Sequence, residues 1–542
     1  MKLAKHIIPV LFLAPLILSC SKKPVEIPVP AEPQPSPTGL YFERLTESIL
    51  QMHWRDASES ESGYSVWILP DGASTPEKIG ETAQNETSFA IASGLESGRA
   101  YSIGIRTDSS DEELCSDIEY IPVKMIPFAS IPAGAVSQSR AMSSCLAVTY
   151  SFRNYSDLSD IETGLCWSTE GVATVDDSRL CGPKLPSSGR VLQIIPNVNL
   201  EAGKTYSVRA YMTSSSGTYY LDAGEMSVGD AIEPVELEWK AVSVSGLPEG
   251  ISVWESVNAT VSGRSLRAWY AVADLSSGEF EFRANVPSSL ATIDDQAASF
   301  WGDCYIMVNG GYFASGQHTG IAIEDFIVTG SINNQRGTID AADPENMEIY
   351  PTTRGIFGID SYGHPSVYWA NGSGYAVNYF ASPVPSVKGE EKYPSRAEDW
   401  ASAQLVHWLP RAAISAAPVL LKDGKCPFDF THTDRGDKYY YTNFEFVADD
   451  IFGEDVLCDR TAVGATEDGK IVFFICDGRM DDSRGLNLLE LAGVMKGIGC
   501  VDALNLDGGG STGMMVAGTH FGDTTVGGNR KVMSTVGLFR RR

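Results

Sequence analysis

The chain has no Cys-x-x-Cys pair and no cluster of Cys and His at metal-ligand spacing, which removes a structural zinc site from the expectations. Positive charge is scarce: 41 Lys and Arg face 69 Asp and Glu, the formal net charge is -28, and no basic cluster offsets it. Such a surface repels a polyanion, so nucleic acid is not an expected partner, although a few placed arginines can still hold one phosphate. The N-terminal apolar run, Ile7 to Leu18, is also short. It falls below the roughly 20 residues of a membrane-spanning helix.

What remains is an ordinary globular composition. Hydrophobic residues make up 43% and charged ones 20% of the 542, enough to bury cores in about three or four domains. Lys2 and Lys5 precede the N-terminal run, which ends at Ile17-Leu18-Ser19-Cys20. This pattern resembles a bacterial lipobox. It implies a signal peptide over residues 1–20, lipidation of Cys20, and a cell-envelope protein anchored to a membrane through that residue. An ordinary cleaved leader is the alternative, and the periplasmic and outer-surface faces both stay open. With Cys20 set aside, nine of the ten cysteines are left, so at least one cannot pair within the chain. Cys145, Cys166 and Cys181 are close enough to share a bridge. Cys166 and Cys476 sit in apolar runs where buried free thiols are common, so few disulfides are expected.

Residues 21–38 carry Pro24, Pro28, Pro30, Pro33, Pro35 and Pro37 and read as an extended tether. Two all-β segments follow, over 39–128 and 129–232. In the first, Leu50, Met52 and Trp54 alternate on one strand and Tyr64, Val66 and Ile68 on another. Leu95-Glu96-Ser97-Gly98-Arg99-Ala100-Tyr101 closes the first segment, and Leu200-Glu201-Ala202-Gly203-Lys204-Thr205-Tyr206 repeats the device in the second. A tyrosine that starts a strand just after a Gly turn is the tyrosine corner of immunoglobulin-like sandwiches, and both segments resemble fibronectin type III domains. Neither contains a catalytic cluster, so spacer is their default role. Glycine, aromatic and polar clusters become dense from 235 to 542, which reads as one α+β domain with a helix from Leu486 to Lys496. The proline-rich, charged stretch 381–402 within it is a surface loop.

Four places in this last domain share one design, an apolar run meeting polar residues or glycine. Tyr305 to Val308 ends in Asn309-Gly310-Gly311-Tyr312-Phe313, and Ile471 to Cys476 ends in Asp477-Gly478-Arg479. Val501 to Leu506 runs into Asp507-Gly508-Gly509-Gly510-Ser511-Thr512, while Arg460-Thr461-Ala462-Val463-Gly464 begins an apolar strand. Buried strands that stop together at one edge are where sites gather. Asn-Gly or Asp-Gly alone is more often a hairpin turn. Three consecutive glycines after Asp507 are harder to explain as a turn, because they let backbone approach a ligand and aim N–H groups at an anion. On the helix, Leu488, Leu491, Ala492 and Met495 form one stripe with Glu490 opposite. Gly493, Val494 and Gly497 around Glu490 suggest packing on that side too, so its carboxylate needs a partner, with Arg479 or Arg460 as candidates, or a place in a site.

Taken in order, these motifs resemble the phosphodiester glycosidase domain family. The likeness runs from about residue 250 to 542, with Tyr312 and Gly513 departing from the commoner Phe and Thr, and Arg530-Lys531-Val532 matching only loosely. The fold class is multidomain, two all-β immunoglobulin-like sandwiches followed by an α+β domain to which the resemblance gives a catalytic role. It also implies hydrolysis of a sugar-1-phosphodiester, GlcNAc-1-phosphodiester-like, at the anomeric bond, with a phosphorylated glycan or glycoconjugate as partner. Asp507 and Glu490 become the candidate nucleophile or base, and Asp477 an alternative or the orienter of Arg479. Arg460 and Arg479 are assigned to phosphate with Gly508, Gly509, Gly510, Ser511 and Thr512, and Asn309 with Gly310 to the sugar.

No cofactor is required on this reading, and a structural Ca²⁺ or Mg²⁺ remains compatible with it. Two rivals stand beside it. One is a metal-dependent phosphodiesterase in which Asp477, Asp507 and Glu490 hold the ion. The other is a non-catalytic glycan-binding lipoprotein that uses its sandwiches for adhesion.

Overall fold

The structure is a computed structural model. It describes residues 32–541 except 142–144, 183–184, 186–189, 229–230, 301, 333–334, 339–346, 351–352, 375, 382–404, 429–438, 441–444, 446, 449–452, 454 and 524–529. The leader with Cys20, most of the Pro-rich tether and nearly all of the 381–402 stretch lie outside the described residues.

Both N-terminal modules are two-sheet sandwiches. The first pairs Thr38–Arg44, Leu50–Arg55 and Ser88–Ile91 against a four-stranded sheet of Glu77–Thr82, Gly63–Pro70, Ala100–Asp108 and Glu119–Lys124. The alternation seen in sequence is the cause: Leu50, Met52 and Trp54 point inward and meet Tyr64, Val66, Ile103 and Ile105 in one core. The second module repeats the plan with a core of Leu146, Val148, Leu165, Trp167, Val208 and Ala210. In each module the tyrosine hydroxyl accepts the main-chain N–H five residues upstream, Glu96 N to Tyr101 and Glu201 N to Tyr206, both at 2.8 Å. These are tyrosine corners, built the same way twice.

The C-terminal domain is α+β with strands dominant. Its main sheet has seven strands in the order Trp239–Val242, Ile251–Ser256, Ala268–Ala273, Ile471–Cys476, Arg460–Thr466, Cys500–Asn505 and Val419–Leu421. A five-stranded sheet contains Cys304–Asn309 between Thr535–Arg540 and Met514–Val516, and a second seven-stranded sheet is centred on Pro410–Ala416 and Arg354–Asp360. One phenylalanine from each sheet meets at the centre, Phe282 lying 5.7 Å from Phe357 and 6.2 Å from Phe473 between ring centroids. This contact fixes the sheets around a single core.

Two α-helices are found among the described residues, Ile293–Ser299 and Leu488–Ile498. The second starts two residues later than the sequence suggests, because Asn487 caps it: its side chain accepts the Glu490 N–H and Glu490 returns the bond. Leu488, Leu491, Ala492 and Met495 pack on Val472, Phe474 and Cys476. The alternate residues Ile471, Phe473 and Ile475 face the other sheets. A strand buried on both faces reads as an unbroken apolar run, as Ile471 to Cys476 does. The far side of the helix is covered as well. Val235 of the segment after the second module donates to Gly493 O at 2.9 Å, and a Cβ on Gly497 would overlap the Val235 carbonyl.

Candidate active site

The strand register gathers the motifs at one end of the main sheet. Arg460 pairs with Cys476, and Ala462 with Asn505, so the beginning of one strand and the ends of its two neighbours share an edge. From that edge emerge Asp459, Asp477-Gly478-Arg479 and Asp507 to Thr512. The five-stranded sheet adds Asn309, whose strand ends against the same loop: Asp507 N donates to Gly310 O at 2.9 Å.

Asp507 sits partly exposed at the start of the glycine loop. Burial pushes its carboxyl up to about 6, against the hydroxyl of Ser511, the N–H of Gly508 and the charge of Arg530, which all favour ionisation. The Gly508 N–H reaches Asp507 Oδ1 at 3.0 Å. Gly509 takes a left-handed φ of +58°, and the Arg479 guanidinium lies so close that a Cβ there would meet Nη2 at 3.1 Å. Arg479 itself adopts φ +59°, a conformation unusual for a residue other than glycine and found where surroundings over-determine the backbone. It donates through Nε and Nη2 to Asp459 Oδ2 at 3.1 and 2.8 Å. Asp459 is fully buried while the Arg479 side chain is 45% exposed, so a fixed carboxylate aims a solvent-facing cation.

The sequence assignments divide here. Asp507, Arg479 and Ser511 come together. Glu490 does not serve as a free carboxylate: it caps its helix, accepts from Ser262 Oγ at 2.6 Å and pairs with Arg264, rather than with Arg479 or Arg460. Asp477 is fully buried, accepts the Asp523 N–H at 2.7 Å and pairs with Arg267 at 3.5 Å. It anchors the 522–523 turn, and Asp459 orients Arg479 in its place. Burial lifts Asp477 to about 6 as well. Arg460 is 2% exposed and donates to the carbonyls of Leu486 and Val456, both at 2.9 Å, so it ties backbone together instead of facing phosphate.

Asn309 is also corrected. Its amide donates to Asp507 O at 2.5 Å and accepts from Thr461 Oγ1 at 2.7 Å and Gly513 N at 3.2 Å, which leaves a fully buried side chain no sugar to touch. Gly310 is buried with it, close enough to Ser534 that a Cβ would reach Oγ at 2.5 Å. The loop N–H groups are largely turned inward: Gly508 to Asp507, Gly509 to Asp459 O at 2.9 Å, Ser511 to Gly508 O and Thr512 to Gly509 O. The glycines therefore serve close packing more than an open anion nest. Gly510 and Thr512 are buried within the turn.

Two residues were missed in the sequence. Asp459 immediately precedes Arg460, and a carboxylate next to an arginine motif was the available signal. Arg267, which gathers Asp477, Asp482 and Asp523, gave none. Among the described residues no three His, Cys, Asp or Glu side chains form a metal-holding group, so Asp477, Glu490 and Asp507 do not converge as one.

Residues 302–539 match the family described as phosphodiester glycosidase. The mouse N-acetylglucosamine-1-phosphodiester alpha-N-acetylglucosaminidase is 43% identical over 65 residues, 12% of this chain and 12% of that protein. The solved catalytic domain of the zebrafish enzyme, auto-inhibited by its pro-peptide, is 20% identical. It is matched over 57% of this chain and 89% of its own with a TM-score of 0.33. A two-module fibronectin type III segment of chicken tenascin is 18% identical, matched over 35% of this chain and all of its own with a TM-score of 0.15. Over residues 302–539 the C-terminal domain of this chain is thus similar to the phosphodiester glycosidase family.

Proposed function

We propose that the C-terminal domain hydrolyses a sugar-1-phosphodiester, GlcNAc-1-phosphodiester-like, at the anomeric C–O bond, releasing free sugar and a phosphomonoester. The observation that carries this reading is the pair at the sheet edge. Asp507 is a half-sheltered carboxylate pushed up to about 6, and Arg479, held in place by buried Asp459, lies against Gly509 of the same loop. In the step, the anomeric C–O bond breaks and its electron pair leaves with the phosphate, while water supplies the new hydroxyl and its remaining proton passes to the departing phosphate or to solvent. A phosphomonoester leaves readily, so the site needs less general-acid help than for an ordinary glycoside. Ionised Asp507 stabilises the positive charge developing at the sugar carbon, and Arg479 receives the growing charge on phosphate. Ser511 holds the Asp507 carboxylate in orientation. No cofactor enters the step.

The test is a panel of sugar-1-phosphodiesters assayed for released reducing sugar. Turnover of one or more members is expected, and failure across the panel overturns the reading. The Cys20 motif supports a lipid anchor, with the Pro-rich stretch and both sandwiches holding the domain off the membrane. Metabolic labelling with an alkyne fatty acid checks it: label should enter the wild type and be absent from Cys20→Ser.

A further inference from the structure

Away from the catalytic edge, the junction of the two sandwiches encloses a cleft of about 470 Å³ whose walls include Tyr41, Arg44, Lys124, Arg209, Tyr219 and Tyr220. Arg209 is 8% exposed. Its guanidinium is covered on its faces by Tyr41 and Tyr220, with ring centroids 4.3 and 4.0 Å away. Its edge is nearly empty. Nη1 donates to Ala173 O at 3.2 Å, Nε is buried without a partner, and Nη2 has no protein partner among the described residues. Arg55 at the same junction is paired with Asp177, whereas Arg209 has no carboxylate in ion-pair reach among the described residues, and Asp222, opposite it across the strand pair, acts on it only at longer range.

A guanidinium removed from water without a carboxylate in direct contact is costly, and aromatic faces recover only part of that loss. A purely structural latch between modules explains the stacking. It does not explain an unpaired fork opening on a cavity. The charges agree: three cations, Arg44, Lys124 and Arg209, line the cleft against the two carboxylates Glu43 and Asp222, although the whole chain carries -28. We propose that this inter-module cleft binds an anionic saccharide. Its phosphate or carboxylate takes the edge of Arg209, with Lys124 at the rim, and its ring lies on the tyrosine wall. The sandwiches are then a binding device and not spacers alone. This site is independent of the proposed chemistry at Asp507.

The experiment is calorimetric titration of the whole protein carrying Arg479→Ala, so that the catalytic edge does not compete, with glucose 6-phosphate, glucuronate and glucose. At least one of the two anions should bind, and glucose should bind at least about tenfold more weakly. Arg209→Gln should weaken the anion by about tenfold or more, Arg209→Lys by less, and Lys124→Gln by about threefold with a flatter salt dependence. Lys124 is exposed, so its variant decides the matter even if Arg209→Gln does not fold. A preference for the phosphate identifies a phosphorylated glycan as ligand, and one for glucuronate identifies a uronate. Equal binding of glucose, no anion binding at millimolar concentration, or unchanged affinity in both Lys124→Gln and Arg209→Lys would overturn the proposal.

Discussion

The start of the Leu488–Ile498 helix and the loop after Leu506 each present an acidic residue beside an apolar run, and the fold treats the two differently. Glu490 is engaged on every side by Asn487, Ser262 and Arg264. Asp507 has a neighbouring N–H, a serine hydroxyl and the charge of Arg530 without an ion pair, and it keeps a raised pKa and access to solvent. Both carboxylates are partly sheltered; what differs is whether a cation is in direct contact, as Arg264 is with Glu490, or acts only at longer range, as Arg530 does on Asp507. A carboxylate left without a direct ion pair at a strand edge is the one available for chemistry.

The sharpest way to break this comparison is to neutralise each acid. Asp507→Asn should lower kcat/KM by about a thousandfold or more, while Glu490→Gln should stay within about threefold of wild type. The Glu490→Gln variant should instead lose roughly 1–2 kcal/mol in chemical denaturation, since Arg264 loses its partner. The opposite pattern in steady-state kinetics would reverse the assignment. Next in size, Arg479→Ala should cost about a hundredfold in kcat/KM. Asp459→Asn should come close to it, and the double variant should be little worse than either, because one residue acts through the other.

Stability sharpens the same contrast. The folded pKa of Asp507 is raised from 3.8 to about 6, so the folded state holds the proton more tightly than the unfolded chain. Wild-type stability from this group is present below pH 4 and is lost as pH rises through 6. Asp507→Asn should therefore melt higher than wild type at pH 7.5 and not at pH 4, as thermal scans at both values can show. The smallest effects belong to the modules. Tyr101→Phe and Tyr206→Phe should each destabilise their sandwich by about 1 kcal/mol in urea titration and leave turnover unchanged.

Much of this was legible in the sequence. The two Leu-x-x-Gly-x-x-Tyr-like closures gave the sandwiches, because a tyrosine corner is a local device with a fixed offset. The common edge of Asn309, Asp477 and Asp507 was legible because strand ends carry abrupt polarity changes. The division of labour among those residues was not. Whether Arg460 faces phosphate or the carbonyls of Val456 and Leu486 depends on tertiary backbone that no local pattern encodes. The same holds for Asn309, which looks like a ligand residue and instead clamps the Asp507 carbonyl. Asp459 was hidden because its role is visible only once Arg479 folds back over it.

The central claim, cleavage on the sugar side of the phosphodiester with Asp507 at the anomeric carbon, is tested most directly by turnover in ¹⁸O-water. The released phosphomonoester is then read by isotope-shifted ³¹P resonance. Attack at carbon leaves all phosphate oxygens unlabelled, and that is the result expected. One ¹⁸O in the phosphate would mean P–O cleavage and would contradict the account.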